Sequence, residues 1–106
     1  MDDFVAKRTV RYNIDIRDDA GVVDVTGMSI DFAMKRSLNE ETAIISKNIL
    51  PIDPTSFPQF VFMLDTSETD VPAQKYSYEF VLNGADGSRE TFDMGDVIVK
   101  RGPADV

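Results

Sequence analysis

From residue 9 to residue 17 apolar and polar side chains alternate strictly. Val10, Tyr12, Ile14 and Ile16 fall on one face, and Arg11, Asn13, Asp15 and Arg17 on the other. A period of two predicts a strand with one wet face. Asp18-Asp19-Ala20-Gly21 reads as a turn, with Gly21 suited to a positive φ. A short extended piece, 22–25, stops at Thr26-Gly27. Alternation then resumes over 28–36, with Met28, Ile30, Phe32 and Met34 inward and Ser29, Asp31 and Lys35 outward.

Residues 37–41 are polar and read as a loop, with a short helix as the rival reading. Residues 42–50 are rich in β-branched side chains and predict a strand of ambiguous register. Pro51, Pro54 and Pro58 then punctuate a long loop, because proline cannot donate to a ladder. Phe60, Phe62 and Leu64 mark the next strand. Ser67 and Asp70 have capping-box spacing, which predicts a single helical turn within the polar run 65–74. Residues 75–83 alternate again, with Tyr76, Tyr78, Phe80 and Leu82 inward, and Asp86-Gly87 signals a hairpin turn. In the last strand Phe92 and Met94 share one parity and Val97 and Val99 the other, which predicts a β-bulge at Gly95.

About seven short strands with regular turn signals predict an all-β fold, an immunoglobulin-like antiparallel β-sandwich. Tyr76 opens a strand after a crossover, the place of a tyrosine corner, where the hydroxyl bonds back to the backbone. The expected organisation is a flexible N-terminal arm at 1–8, the sandwich at 9–100 and a C-terminal tail at 101–106.

Composition narrows the chemistry. The 106 residues contain no cysteine and no histidine, which removes disulfides, thiol catalysis, the commonest general base and the usual transition-metal ligands. A net charge of −8 disfavours nucleic acid and anionic membranes. No apolar run approaches the ~20 residues that span a bilayer, and the acidic start is no secretory signal. Asp15, Asp18, Asp19 and Asp24, or Asp65, Glu68 and Asp70, could bind calcium, yet neither group has EF-hand spacing and acids also serve as turn formers. Some carboxylate pair with glycosidase spacing arises by chance among 19 acids, and Gly84-Ala85-Asp86-Gly87 reads as a hairpin turn rather than a phosphate loop. Tyr76 and Tyr78 could stack on sugar rings, but they lie on the inferred core face. The reading is therefore of a domain with no catalytic, cofactor-binding or metal residues. Its candidate docking residues are Phe4 and Val5 in the arm and Ile52 and Phe57 in the proline-bordered loop.

Two runs carry a family likeness. The first is Tyr12-Asn13-Ile14-Asp15-Ile16-Arg17-Asp18, followed by Gly21 and by Asp24-Val25-Thr26-Gly27-Met28-Ser29-Ile30-Asp31-Phe32. The second runs from Leu64-Asp65-Thr66-Ser67-Glu68-Thr69 through Lys75-Tyr76-Ser77-Tyr78-Glu79-Phe80 and Asp86-Gly87 to Met94-Gly95-Asp96-Val97-Ile98-Val99. Together they resemble the small immunoglobulin-like domains of tailed-phage virions, in particular the N-terminal domain of siphophage upper-baseplate proteins that anchor the receptor-binding protein. The resemblance covers roughly residues 9–100. It implies a non-enzymatic structural protein of a tail, baseplate or neck, assembled in the host cytoplasm into the virion. The implied partners are other virion proteins and copies of the chain itself, with no cofactor, nucleic acid or membrane. In that family a longer fibre-forming or receptor-binding region usually follows the domain, and no residues here carry that role. A capsid decoration protein and a carbohydrate or host-surface binding module are the alternatives.

Overall fold

Each alternating segment becomes a strand. The computed structural model describes residues 1–102, which form nine strands and no helix. They are β1 (Phe4–Val5), β2 (Val10–Ile14), β3 (Arg17–Asp18), β4 (Gly21–Val22), β5 (Ser29–Lys35), β6 (Ile45–Ile49), β7 (Phe60–Leu64), β8 (Lys75–Asn83) and β9 (Arg89–Lys100). The main sheet has five strands in the order β1-β9-β8-β5-β6, while β2 pairs with β7 and β3 with β4. All pairs are antiparallel except β1 on β9.

The apolar faces meet where their periodicity aims them. Ile30, Phe32 and Met34 of β5, Tyr76, Tyr78 and Phe80 of β8, and Phe60, Phe62 and Leu64 of β7 are all buried. Tyr12, Ile14 and Leu82 pack at the margin of this core. Phe62 brings the β2–β7 ribbon onto the main sheet, its ring centroid 4.7 Å from Phe32 and 5.0 Å from Phe80. Tilted and edge-on contacts of this kind add about 0.5–1.5 kcal/mol each beyond burial. On the wet face of the sheet, the Asp31 carboxylate accepts from Asn48 (2.7 Å), Asn83 (3.0 Å) and Arg89 (3.1 Å), tying four strands in register. Tyr76 is fully buried, and its hydroxyl donates to the Pro72 carbonyl at 2.6 Å.

Several expectations need correction. The segment 1–8 is not a loose arm. Phe4 and Val5 pair in parallel with Val99 and Lys100, which makes the sheet mixed rather than wholly antiparallel. The long strand expected over 9–17 breaks after Ile14, because the Ile16 N–H turns away to the side chain of Gln59 at 2.6 Å. The bulge lies at Phe92 rather than Gly95: Phe80 faces Asp93 and Val81 faces Thr91, so Phe92 is the extra residue, while Gly95 stays in register opposite Tyr78. The capping interaction sits two residues earlier than its sequence spacing suggests. Asp65 Oδ1 accepts from the Glu68 N–H at 2.8 Å, and Glu68 Oε1 accepts from the Asp65 N–H at 3.0 Å. That reciprocal pair closes one turn, with Thr69 N–H on Asp65 O at 3.1 Å, and no helix follows. Of the expected tail 101–106, residues 103–106 lie outside the described residues.

The strands run between two poles. One pole collects connections 15–28, 50–59 and 84–88, and the other collects 6–9, 36–44 and 65–74 together with 101–102. The nine residues of β8 alone span roughly 30 Å between them. The molecule measures 48 × 29 × 22 Å.

Candidate functional site

At the first pole two of the three irregular connections are held by one side chain. Gln59 is fully buried. Its amide nitrogen donates to the carbonyls of Val23 (2.5 Å) and Pro54 (2.9 Å), and its amide oxygen accepts from Ile16 N–H. Its backbone N–H donates to Asp15 Oδ1 at 3.0 Å, and its carbonyl accepts from Ile52 N–H at 2.8 Å. Val25 N–H adds a bond to Pro54 O at 3.1 Å. Buried backbone groups outside a ladder need partners, and Gln59 supplies them for both loops at once. The 84–88 hairpin closes alongside. A Cβ on Gly27, which has φ +78°, would stand 3.2 Å from Ala85 Cβ, so a side chain there would crowd the two loops apart.

This frame presents apolar side chains to solvent. Ile52 is 63% exposed and Phe57 62%, and Leu50 in the same loop and Val22 of β4 are exposed as well. The Phe57–Pro58 peptide is cis. Of the residues singled out for docking, Ile52 and Phe57 thus stand on the surface. Val5 is half-buried in β1. Phe4 is a correction: it is only 8% exposed and belongs to the core, because parallel pairing with Val99 turns its ring inward.

The same pole is strongly acidic. Asp15, Asp18, Asp19, Asp24, Asp53 and Asp86 stand there against Arg17 and Arg89. Local donors engage most of these carboxylates. Asp18 accepts from Ala20 N–H (2.8 Å), and Asp24 takes both the hydroxyl and the N–H of Thr26 (2.6 and 3.0 Å). Asp53 takes the Ser56 hydroxyl and Thr55 N–H. The Thr26 hydroxyl holds Asp24 below the ordinary carboxyl pKa, the Ser56 hydroxyl does so for Asp53, and Ser88 does so for Asp86. Among the described residues no three acidic side chains gather closely enough to hold a metal ion.

The second pole differs in both charge and shape. Thr69, also fully buried, donates its hydroxyl to Arg8 O at 2.8 Å, and its carbonyl accepts from Lys7 N–H at 3.2 Å. This anchors the link between β1 and β2, where Lys7 adopts φ +62°. Beside it lies a cleft of about 460 Å³, with Ala6, Val71, Pro72 and Ala73 as its apolar part and Lys7, Arg101 and Asp70 as its polar part.

Another depression, of about 220 Å³, lies between β2 and β9, with Tyr12 and Phe92 among its walls. The Met1 ammonium reaches into it, 2.9 Å from the Tyr78 hydroxyl and 3.4 Å from Asp93. Tyr76 and Tyr78 are both buried, so neither offers a ring face to a sugar. Sequence reasoning missed Gln59 and Thr69. Each is a polar residue in a polar or proline-rich stretch, and only the meeting of distant loops takes it out of water.

Neither a family model nor a curated protein matches the chain.

Proposed function

We propose that the chain is a non-enzymatic, immunoglobulin-like structural subunit of a tailed-phage virion that docks on neighbouring structural proteins through its 50–58 loop. One observation carries the docking role: Ile52 and Phe57 are exposed on a loop whose backbone is pinned by the buried Gln59. A loop ordered before binding loses little entropy on contact, so its apolar tips can act as anchors in a partner's pocket.

The immunoglobulin-like reading is supported by the pairing scheme. A β2–β7 ribbon faces a sheet in which β6, β5, β8 and β9 are neighbours, as strands B and E face C′, C, F and G in variable-type domains. The Tyr76 hydroxyl on Pro72 O, at the start of β8, has the form of a tyrosine corner. The particle setting is supported by the resemblance of the 12–32 and 64–99 runs to virion domains, and tail, baseplate and neck fit it equally.

Mass spectrometry of purified particles tests the reading. The chain is expected in a fixed ratio to the other structural proteins, and its absence from particles overturns the proposal. Particles assembled with the Ile52→Ser, Phe57→Ser protein are expected to lose most of their copies of it, while the free variant melts as the parent does.

A further inference from the structure

The net charge of the chain is gathered at the first pole. Together with Asp31 and Glu90 at the adjoining strand ends, that pole holds eight of the 19 acids against Arg17 and Arg89, which is −6 of the chain's −8. Both arginines are already paired within this set, Arg17 with Asp15 at 3.3 Å and Arg89 with Asp31 at 3.1 Å. The opposite pole is balanced: its seven cations meet seven acids, with Asp96 on Lys75 and Asp70 inside the cleft. A second copy therefore has no cationic end to offer the first pole.

The carboxylates of the first pole are spread out rather than gathered into a chelate. Asp18, Asp24, Asp53 and Asp86 each turn back to the N–H two residues on, in four separate turns. Amid this charge Leu50, Ile52 and Phe57 stand exposed. A metal ion or a small polyamine would answer the charge and leave those three side chains in water. A cationic protein surface with an apolar centre answers both.

Building on the docking role of the 50–58 loop, we infer that its partner is a different protein, which receives Ile52 and Phe57 in an apolar pocket rimmed by lysine and arginine. Burial of the two side chains supplies the affinity. The charged rim sets the orientation and speed of encounter. It also excludes acidic surfaces, the same pole of another copy included.

Titration of the full chain with two model peptides, followed by amide NMR, tests this. One peptide alternates lysine and leucine, and the other, of equal length, alternates glutamate and leucine. The lysine–leucine peptide is expected to shift the amides of residues 15–24 and 50–59 and to bind about tenfold more weakly in about 0.5 M salt, while the glutamate–leucine peptide shifts none. Asp19→Lys with Glu90→Lys reverses two acids outside the loop bonds described above. This pair is expected to weaken the lysine–leucine peptide about tenfold and to leave the melting temperature unchanged. Ile52→Ser with Phe57→Ser is expected to weaken the same peptide while binding of oligolysine stays as in the parent. Shifts spread over both poles, equal binding of the glutamate–leucine peptide, or binding indifferent to either pair of substitutions overturns the inference. If the Ile52→Ser, Phe57→Ser protein is lost from particles while the lysine–leucine peptide ignores the first pole, the loop still docks and the cationic partner is wrong.

Discussion

The two poles solve one problem with unequal means. Each must hold irregular connections against the end of the core, and each places one fully buried polar side chain there, Gln59 at one and Thr69 at the other. Gln59 uses three side-chain hydrogen bonds, one accepted from the Ile16 N–H and two donated to the Val23 and Pro54 carbonyls, to bind two separate loops. Thr69 has one hydroxyl, and the reciprocal Asp65–Glu68 pair does the rest, reinforced by Lys47 on Glu68 at 2.8 Å. The first pole thus depends on one residue, whereas the second spreads its hold over several. A pole held at one point can vary the outer residues of its loops freely, and this is the pole that displays Ile52 and Phe57.

The largest effect is expected where the poles share a foundation. Phe80 touches Phe32, Phe62, Tyr78 and Phe92 through ring contacts of 4.8 to 6.0 Å. Phe80→Ala should cost about 3–5 kcal/mol, close to the whole stability of a small domain, and should loosen both poles together in hydrogen exchange. A soluble Phe80→Ala protein with an unchanged melting temperature would show that the core is not common to the two.

Gln59→Leu comes next. It leaves the Ile16 N–H and Val23 carbonyl without their partners and should cost about 2–3 kcal/mol. Exchange should accelerate at Ile16, Val25 and Ile52 while Lys7 stays protected. Equal acceleration at Lys7 would mean that the poles are coupled rather than independently held. Thr69→Val removes one hydroxyl bond and should cost about 1 kcal/mol, a shift of about 4–8 °C in melting temperature, with the changes confined to residues 6–9 and 65–71.

Acid should act more gently. Hydrogen bonds from Asn48 and Asn83 hold Asp31 below the ordinary carboxyl pKa, and the Ser67 hydroxyl holds Asp65 there, as local donors do for Asp24, Asp53 and Asp86. Groups with depressed folded pKa values lend stability that is complete above their unfolded pKa and is lost as pH falls through the folded one. The melting temperature should therefore be flat above about pH 5 and fall below about pH 4. A melting temperature that rises on acidification would show that repulsion among the aspartates of the first pole outweighs their hydrogen bonds.

The sequence by itself determined which residues face inward along β2, β5, β7 and β8, though not along β6, whose register was ambiguous, or the first half of β9, where Phe92 and Met94 are exposed. Alternation is a local property, and it sufficed for Ile30, Phe32 and Met34, for Tyr76, Tyr78 and Phe80, and for Phe60, Phe62 and Leu64. It also marked Tyr76 as a residue whose hydroxyl bonds back to the backbone, and it set Ile52 and Phe57 between prolines. Only the tertiary structure decided what depends on residues far apart in the chain. Phe4 looked spare until Val99 came alongside it, because two residues cannot display a period. The slip in the last strand looked like a matter for Gly95, yet a bulge is set by the partner strand, and β8 placed it at Phe92. Nothing in the sequence singled out Gln59. Its burial follows from the convergence of residues 16, 23 and 54, whose backbone groups had no ladder to join and needed a single donor and acceptor in reach of all three.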